Sequence, residues 1–301
     1  MRNPTKSILP SHTPDHWQNL LWALSADDIA PDYPLPWLPA ARRQALHSYF
    51  SSAEIYQQLY PQLPHFLAQF NSHRLGIYFE NLWAFAFQHH PDYTLRARNL
   101  PIRHEGKTLG ELDFLVHHHP DDMLEHWELA VKFYLQVDKH WMGPGLRDRL
   151  DIKLARMREH QLPIAQSPEV QSQLALTGLT PQRQWTRMPG RLFTPLQEGS
   201  PEPAHHWWAD TAQFLQCFSS SGYRWVQLPK QTWLTSCGIP DPITAQPLAL
   251  HAIDLQKLHH QLNDRGPLCV AATDDSGEIS RGFIVPDDWR QRASSELASA
   301  K

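Results

Sequence analysis

Gly110-Glu111-Leu112-Asp113-Phe114-Leu115 and, a short turn later, His126-Trp127-Glu128-Leu129-Ala130-Val131-Lys132-Phe133-Tyr134-Leu135 decide how this chain reads. In a strand, side chains at i and i+2 share a face. A strand over 109–117 therefore puts Leu112, Phe114 and Val116 on one side and Glu111, Asp113 and Leu115 on the other. A strand over 127–135 puts Trp127, Leu129, Val131 and Phe133 opposite Glu128, Ala130, Lys132 and Tyr134. The turn through His118-His119-Pro120-Asp121 allows the two to pair as a hairpin with their charged faces coincident. Two or three carboxylates then lie beside a lysine on a mostly buried element, which is costly unless the charges pair or bind a cation. Asp113 and Glu128, with Glu111 or Glu80 in support, suit Mg²⁺ or Mn²⁺, which takes one or two carboxylates with waters and a phosphate oxygen. Such a metal lowers the pKa of a bound water, and Lys132 is placed to position that water or offset charge at phosphate. The bland alternative is a solvated sheet face with cross-strand ion pairs.

Upstream, Leu75, Tyr78, Phe79, Leu82, Trp83 and Ala86 recur at helical spacing over 74–88, a helix that carries Glu80 and ends before Pro91. Tyr93 to Arg98 alternates as a strand, and His104-Glu105-Gly106-Lys107 is a turn. Downstream, Gly143-Pro144-Gly145 breaks the chain, and 146–161 reads as a helix with Leu146, Leu150, Leu154 and Met157 on one stripe. Arg149, Lys153, Arg156 and His160 form a second stripe, either a phosphate rail or a solvated face. Further candidates are helices at 168–176, 209–218 and 251–262 and strands at 191–194, 224–228, 268–272 and 279–285. The last two strands flank the hairpin signal Asp274-Asp275-Ser276-Gly277. A loop at 195–204 is rich in Pro, Gly and Glu. Residues 11–70 look helical, broken by Pro31, Pro34, Pro36 and Pro39. The expected division is a helical extension (1–72), an α/β core (73–200) and a small α+β appendage (201–301).

The 301 residues are 41% hydrophobic, with 12 Trp, enough for a sizeable core, so widespread disorder is excluded. No run approaches 18 apolar residues, so no transmembrane helix is expected, and residues 1–14 lack the apolar centre of a signal peptide. Three scattered cysteines argue against a disulfide framework and fit a cytoplasmic protein. A net charge of −4 excludes a strongly basic nucleic-acid binder but not a local basic groove. The 19 histidines cluster at 89–90, 117–119, 205–206 and 259–260. Most read as surface turns; His117-His118-His119, beside Asp121 and Asp122, is the group that points to a metal. Tryptophans such as Trp207 and Trp208 read as core first and base-stacking or protein-contact residues second. No Gly-rich phosphate loop and no G-x-S-x-G element is present.

The order helix, three strands, helix, strand, with Tyr78-Phe79-Glu80-Asn81-Leu82-Trp83 in the first helix and the two quoted strands after it, resembles the PD-(D/E)XK nuclease superfamily over residues 74–195. More narrowly, the runs 110–115, 126–135 and 148–162 resemble a bacterial family known as domain of unknown function 1853, along most of the chain. The superfamily resemblance implies a restriction-endonuclease-like core and Mg²⁺-dependent hydrolysis of DNA or, second, RNA. It matches Asp113 to the motif aspartate, Lys132 to the motif lysine and Glu80 to the first-helix acid. Ala130 stands where the motif carries an acid two residues before the lysine. Glu128 or Glu111 then substitutes, or the site has lost its metal and the fold serves as a nucleic-acid- or protein-binding module.

Overall fold

The computed structural model describes residues 9, 11–70, 72, 74–197, 206–236, 238 and 248–299. Most of the loop expected at 195–204 lies outside these residues, as do His205 and Cys237. Four helices come first: α1 (His16–Ser25), α2 (Ala40–Phe50), α3 (Ala53–Leu59) and α4 (Gln62–Ala68). Ser52 starts α3 by accepting the Ile55 N–H on its hydroxyl, a cap that satisfies one of the orphan donors of a helix start. The predicted helix at 74–88 is α5 (Leu75–His89), apolar nearly all round and buried along most of its length.

Then follow β1 (Tyr93–His104), β2 (Lys107–His118), β3 (Met123–Leu129), β4 (Lys132–Val137) and β5 (His140–Met142). The β1–β2 turn falls at Glu105-Gly106, both at positive φ. Helix α6 (Leu150–Arg156) runs into a wider π turn (Met157–Gln161) and the short α7 (Leu162–Ile164), and α8 (Pro168–Leu176) follows. The helix expected from 146 starts later because Leu146 takes a left-handed φ of 62° in the turn before it. The chain continues through β6 (Arg183–Arg187), β7 (Gly190–Pro195), β8 (His206–Ala209), α9 (Thr211–Phe218), β9 (Arg224–Gln227), β10 (Leu248–Ala249), α10 (Leu255–Arg265), β11 (Leu268–Asp274), β12 (Gly277–Ile284) and α11 (Trp289–Ser299). The fold is mixed α/β, and among the described residues no helix is long and apolar enough to cross a membrane.

Contacts divide the chain into two compact units, one of residues 16–132 and 152–190, the other of 1–15, 133–151 and 191–301. This grouping cuts across the divisions expected at 72 and 200. Residues 16–72 share a unit with the first sheet because α1 packs on α5, where Asn19 Nδ2 donates to the Tyr78 hydroxyl at 2.9 Å.

The first unit holds a sheet of order β1-β2-β3-β6. β1, β2 and β3 pair antiparallel, and β6 joins β3 in parallel. One face receives α5 through Phe87, which meets Phe114 and Trp127, and through Trp83, which meets Trp127 at 5.6 Å. Leu115 and Leu124 pack instead with Ala165, Val170 and Leu174, from the α7–α8 segment. Both faces are therefore covered, which is why the strands carry long apolar runs.

The single strand expected over 127–135 is two. β3 leaves the first sheet at Leu129, and β4 begins at Lys132 as a member of the second. Residues 130–131 belong to neither, although the Ala130 and Lys132 N–H groups still donate to the Arg187 and Pro189 carbonyls. Alternation predicts a continuous strand here because periodicity does not report a change of partner. Gly190 lies against this crossing, and a Cβ there would drive into the Lys132 carbonyl. Gly190→Ala is expected to cost about 3 kcal/mol or more, since backbone rather than a flexible side chain must yield. Gly145→Ala, with nothing near the added Cβ, should change stability by less than about 0.5 kcal/mol. Thermal unfolding of the two variants checks the contrast.

The second unit holds a sheet of order β10-β9-β11-β12-β8-β7-β4-β5. The expected hairpin at 274–277 joins β11 to β12; Asp274 Oδ1 accepts the Ser276 N–H at 2.7 Å, and Gly277 supplies the positive φ. Trp207, Phe214, Phe218 and Trp225 stack into its core. Trp207, Trp208 and Trp225 are buried, and the idea that they form an exposed contact surface falls with that.

Candidate functional site

The β2–β3 ladder ends at Phe114 opposite Trp127, and one further step puts Asp113 opposite Glu128. There the pairing opens. On the β1 side the register skips Asn99 and Asp113, and Asn99 takes a left-handed φ of 51°. On the β3 side the Asp113 carboxylate itself accepts the Leu129 N–H at 3.0 Å. Asp113 thus sits where its strand is loosened on both edges.

Glu128 is fully buried. Its Oε1 lies 2.9 Å from His126 Nε2, and its Oε2 accepts from Gln161 Nε2 at 2.8 Å. Gln184 Nε2 lies 3.1 Å from His126 Nδ1 and donates to it. That leaves the imidazole proton on Nε2, directed at Glu128. Gln161, in the π turn after α6, accepts from Lys153 Nζ at 2.7 Å. A relay therefore runs from Lys153 through Gln161 to Glu128. The π turn rotates Gln161 inward, in keeping with the frequency of such bulges at functional positions.

Burial pushes the Asp113 carboxyl well above the ordinary carboxylate range, and the nearby charges of Glu128 and Glu80 push the same way. The Leu129 N–H and the Lys153 ammonium oppose them without prevailing. The Glu80 carboxyl is also raised, mainly by burial, although Arg98 at 3.4 Å and Asn99 favour its charged form. Both shifts have the same cause, burial joined by the charge of a neighbouring carboxylate.

The other sequence candidates separate. Glu111 lies on β2 opposite Pro101 and is exposed, outside the pair. Asp113, Glu128 and Glu111 do not form, among the described residues, a trio with ligand atoms mutually within 4.8 Å. Lys132 stands past the strand break, at the start of β4. The expected basic stripe is divided. Arg149 precedes α6 and is forked onto Asp151, and both residues belong to the second unit. Lys153 turns inward to Gln161. Arg156 is exposed and lines an open groove of about 600 Å³ with Leu109, Ile152, Glu159 and His160. The inward turn of Lys153 has a sequence signal. It stands at i+3 from Leu150 and four residues before Met157, both buried, so it falls on the apolar stripe.

A second polar centre lies on the same sheet; it includes His118 and Asp121 of the histidine group that the sequence pointed to, while Glu125, Arg42 and Arg183 carried no sequence signal. Glu125 is fully buried, and Arg42 donates to both of its oxygens at 3.1 and 3.2 Å. Arg183, Trp127 and Trp185 add donors at 3.3, 3.0 and 2.9 Å. His118, Asp121 and Glu125 bring ligand atoms within 4.8 Å of one another, a set that could hold a metal by type and spacing. Two guanidiniums already neutralise Glu125, however, and Arg183 also holds Asp121 at 2.6 Å. A dication would face both guanidiniums at close range, so the centre reads as an ion-pair hub.

No curated protein and no solved structure matches this chain. A family model does, over residues 18–285, and it covers the helix that carries Glu80, the two strands that carry Asp113 and Glu128, and α6 with its Lys153. The chain belongs to the DUF1853 family, a domain of unknown function.

Proposed function

We propose that this protein is a Mg²⁺- or Mn²⁺-dependent nuclease of PD-(D/E)XK type, hydrolysing phosphodiester bonds of DNA and, second to it, RNA, at Asp113 and Glu128. The observation that carries the reading is the meeting of Asp113 and Glu128 across two strands, with the Lys153 relay beside them. The donor set fits the metal: two carboxylates, each holding lone pairs beyond its N–H bonds, form a hard-oxygen site of the kind Mg²⁺ shares with water and phosphate. Bound there, the ion would supply Lewis-acid chemistry and a more acidic water. The chain's own residues supply the rest. His126 and Gln161 fix the Glu128 carboxylate, the Leu129 N–H fixes Asp113, and Glu80 adds to the negative field. Lys153 takes the place beside phosphate that the motif gives to Lys132, because its ammonium acts on Asp113 and reaches Glu128 through Gln161. Arg156, on the open groove, is available to backbone phosphates.

Separate alanine variants of the two lysines test this. Lys153→Ala is expected to lower Mn²⁺-dependent plasmid nicking by about 10²-fold, the usual cost of one electrostatic donor at a developing charge, and Lys132→Ala by less than about threefold. The reverse ranking would return the role to Lys132.

A second reading rests on a specific observation. Both oxygens of Glu128 are already engaged, by His126 and Gln161, and Ala130 supplies no further acid. In that reading the core is a degenerate nuclease fold that binds nucleic acid or protein without cleaving it. It predicts nucleic-acid affinity indifferent to Mn²⁺ and no nicking by wild type.

A further inference from the structure

We propose that His117 and His119 form a binding site for a first-row transition-metal ion of the Zn²⁺, Ni²⁺ or Cu²⁺ class, separate from the carboxylate site. His117 lies near the end of β2, and the chain turns back at once through His119-Pro120-Asp121. The turn sets the two imidazoles face to edge, with the Nδ1 atoms 3.2 Å apart. Both outer nitrogens are anchored. His117 Nε2 lies 2.9 Å from Asp122 Oδ1, and His119 Nε2 lies 2.9 Å from the Thr94 hydroxyl. A carboxylate only accepts, so His117 carries its proton on Nε2 and aims an Nδ1 lone pair at His119. The Thr94 oxygen can accept in the same way and leave the His119 Nδ1 lone pair facing the first.

The backbone holds this arrangement. Thr94 pairs across the strands with His117, the His119 N–H donates to the Asp92 carbonyl, and Asp122 sits at a left-handed φ of 51° with its N–H on the His119 carbonyl. Two nitrogens 3.2 Å apart, each about 2.0–2.1 Å from one ion, subtend roughly 100–106° at it, close to the tetrahedral angle that Zn²⁺ adopts. A carboxylate on the outer N–H of a ligating histidine is the usual device for fixing its tautomer and raising its basicity. His119 is exposed and His117 partly so, which leaves the remaining coordination positions to water. Imidazole pairs select transition metals over Mg²⁺, so the two sites on this sheet would differ in the ion they take.

The test is calorimetric titration of Zn²⁺, Ni²⁺ and Cu²⁺ into the full chain, with ¹⁵N spectra of the histidine rings. The expected result is one equivalent bound, Cu²⁺ tighter than Ni²⁺ or Zn²⁺, with the Nδ1 signals of two histidines shifted and their Nε2 protons retained. Binding should disappear in His117→Gln and in His119→Gln, and weaken about 10–100-fold in Asp122→Ala. It should persist in Asp113→Asn and in His118→Gln. The proposal is overturned if wild type binds none of the three ions, if binding survives His119→Gln, or if His118→Gln abolishes it and so assigns the ion to the Glu125 centre. Because His119 is exposed, its replacement leaves the fold intact, and a lost equivalent reports the site.

Discussion

Asp113→Asn is expected to abolish metal-dependent cleavage while stabilising the metal-free protein. The amide oxygen can still accept the Leu129 N–H, so the backbone contact survives and the carboxylate charge alone is lost. A catalytic metal contributes several kcal/mol at the transition state, and at 1.36 kcal/mol per tenfold a loss of about 4 kcal/mol is about 10³ in rate. The stability effect has the opposite sign. The Asp113 carboxyl is harder to ionise in the folded chain than in the unfolded one, through burial first and then Glu128 and Glu80. Below the ordinary carboxylate pKa of about 3.9 it is protonated in both states and costs nothing. As pH rises from there through its raised folded value, the unfolded chain ionises first and wild type loses stability. The variant lacks this loss, so the gap between the two should open across that window and persist at neutral pH. Mn²⁺ should close it by stabilising wild type alone. Melting curves from pH 3.5 to pH 8, with and without Mn²⁺, read both effects. A variant less stable than wild type at neutral pH without metal would mean that Asp113 is a structural acid, and unchanged nicking would remove it from the site.

The largest purely structural effect is expected at Asp28. Arg187, at the end of β6, is fully buried, and Asp28 is its ion-pair partner. Asp28 Oδ1 also accepts the Met188 N–H at 2.6 Å, and Arg187 Nη2 donates to the Ala26 carbonyl at 2.6 Å. The segment before α2 is thereby fastened to the edge strand of the first sheet. Asp28→Ala leaves a guanidinium in the interior with no counter-ion, a defect that costs about 3–5 kcal/mol. Urea unfolding should show the midpoint falling with little change in slope. Arg187→Met in the same chain should recover much of the loss, because the unpaired charge rather than the missing bond is what destabilises. A double variant no more stable than Asp28→Ala would contradict that account.

Sequence alone determined the elements whose causes are local. Helix α5 follows from the spacing of Leu75, Tyr78, Phe79, Leu82 and Trp83; β2 follows from alternation, and the β11–β12 hairpin from Asp274 to Gly277, all set within a few residues. The same alternation placed Asp113 and Glu128 on strands able to pair. Tertiary structure alone decided the rest, because it depends on which strand lies beside which. The change of sheet at residues 130–131 separates Lys132 from β3, although the pattern runs through it unbroken. Lys153, which the sequence groups with Arg149 and Arg156, points inward because Gln161, in the π turn, presents an acceptor and buried carboxylates lie beyond it. The pairing of Glu125 with Arg42 and Arg183 spans dozens of residues, and that of Asp28 with Arg187 more still. Partners brought together over such separations by chain closure leave no periodic trace in the sequence.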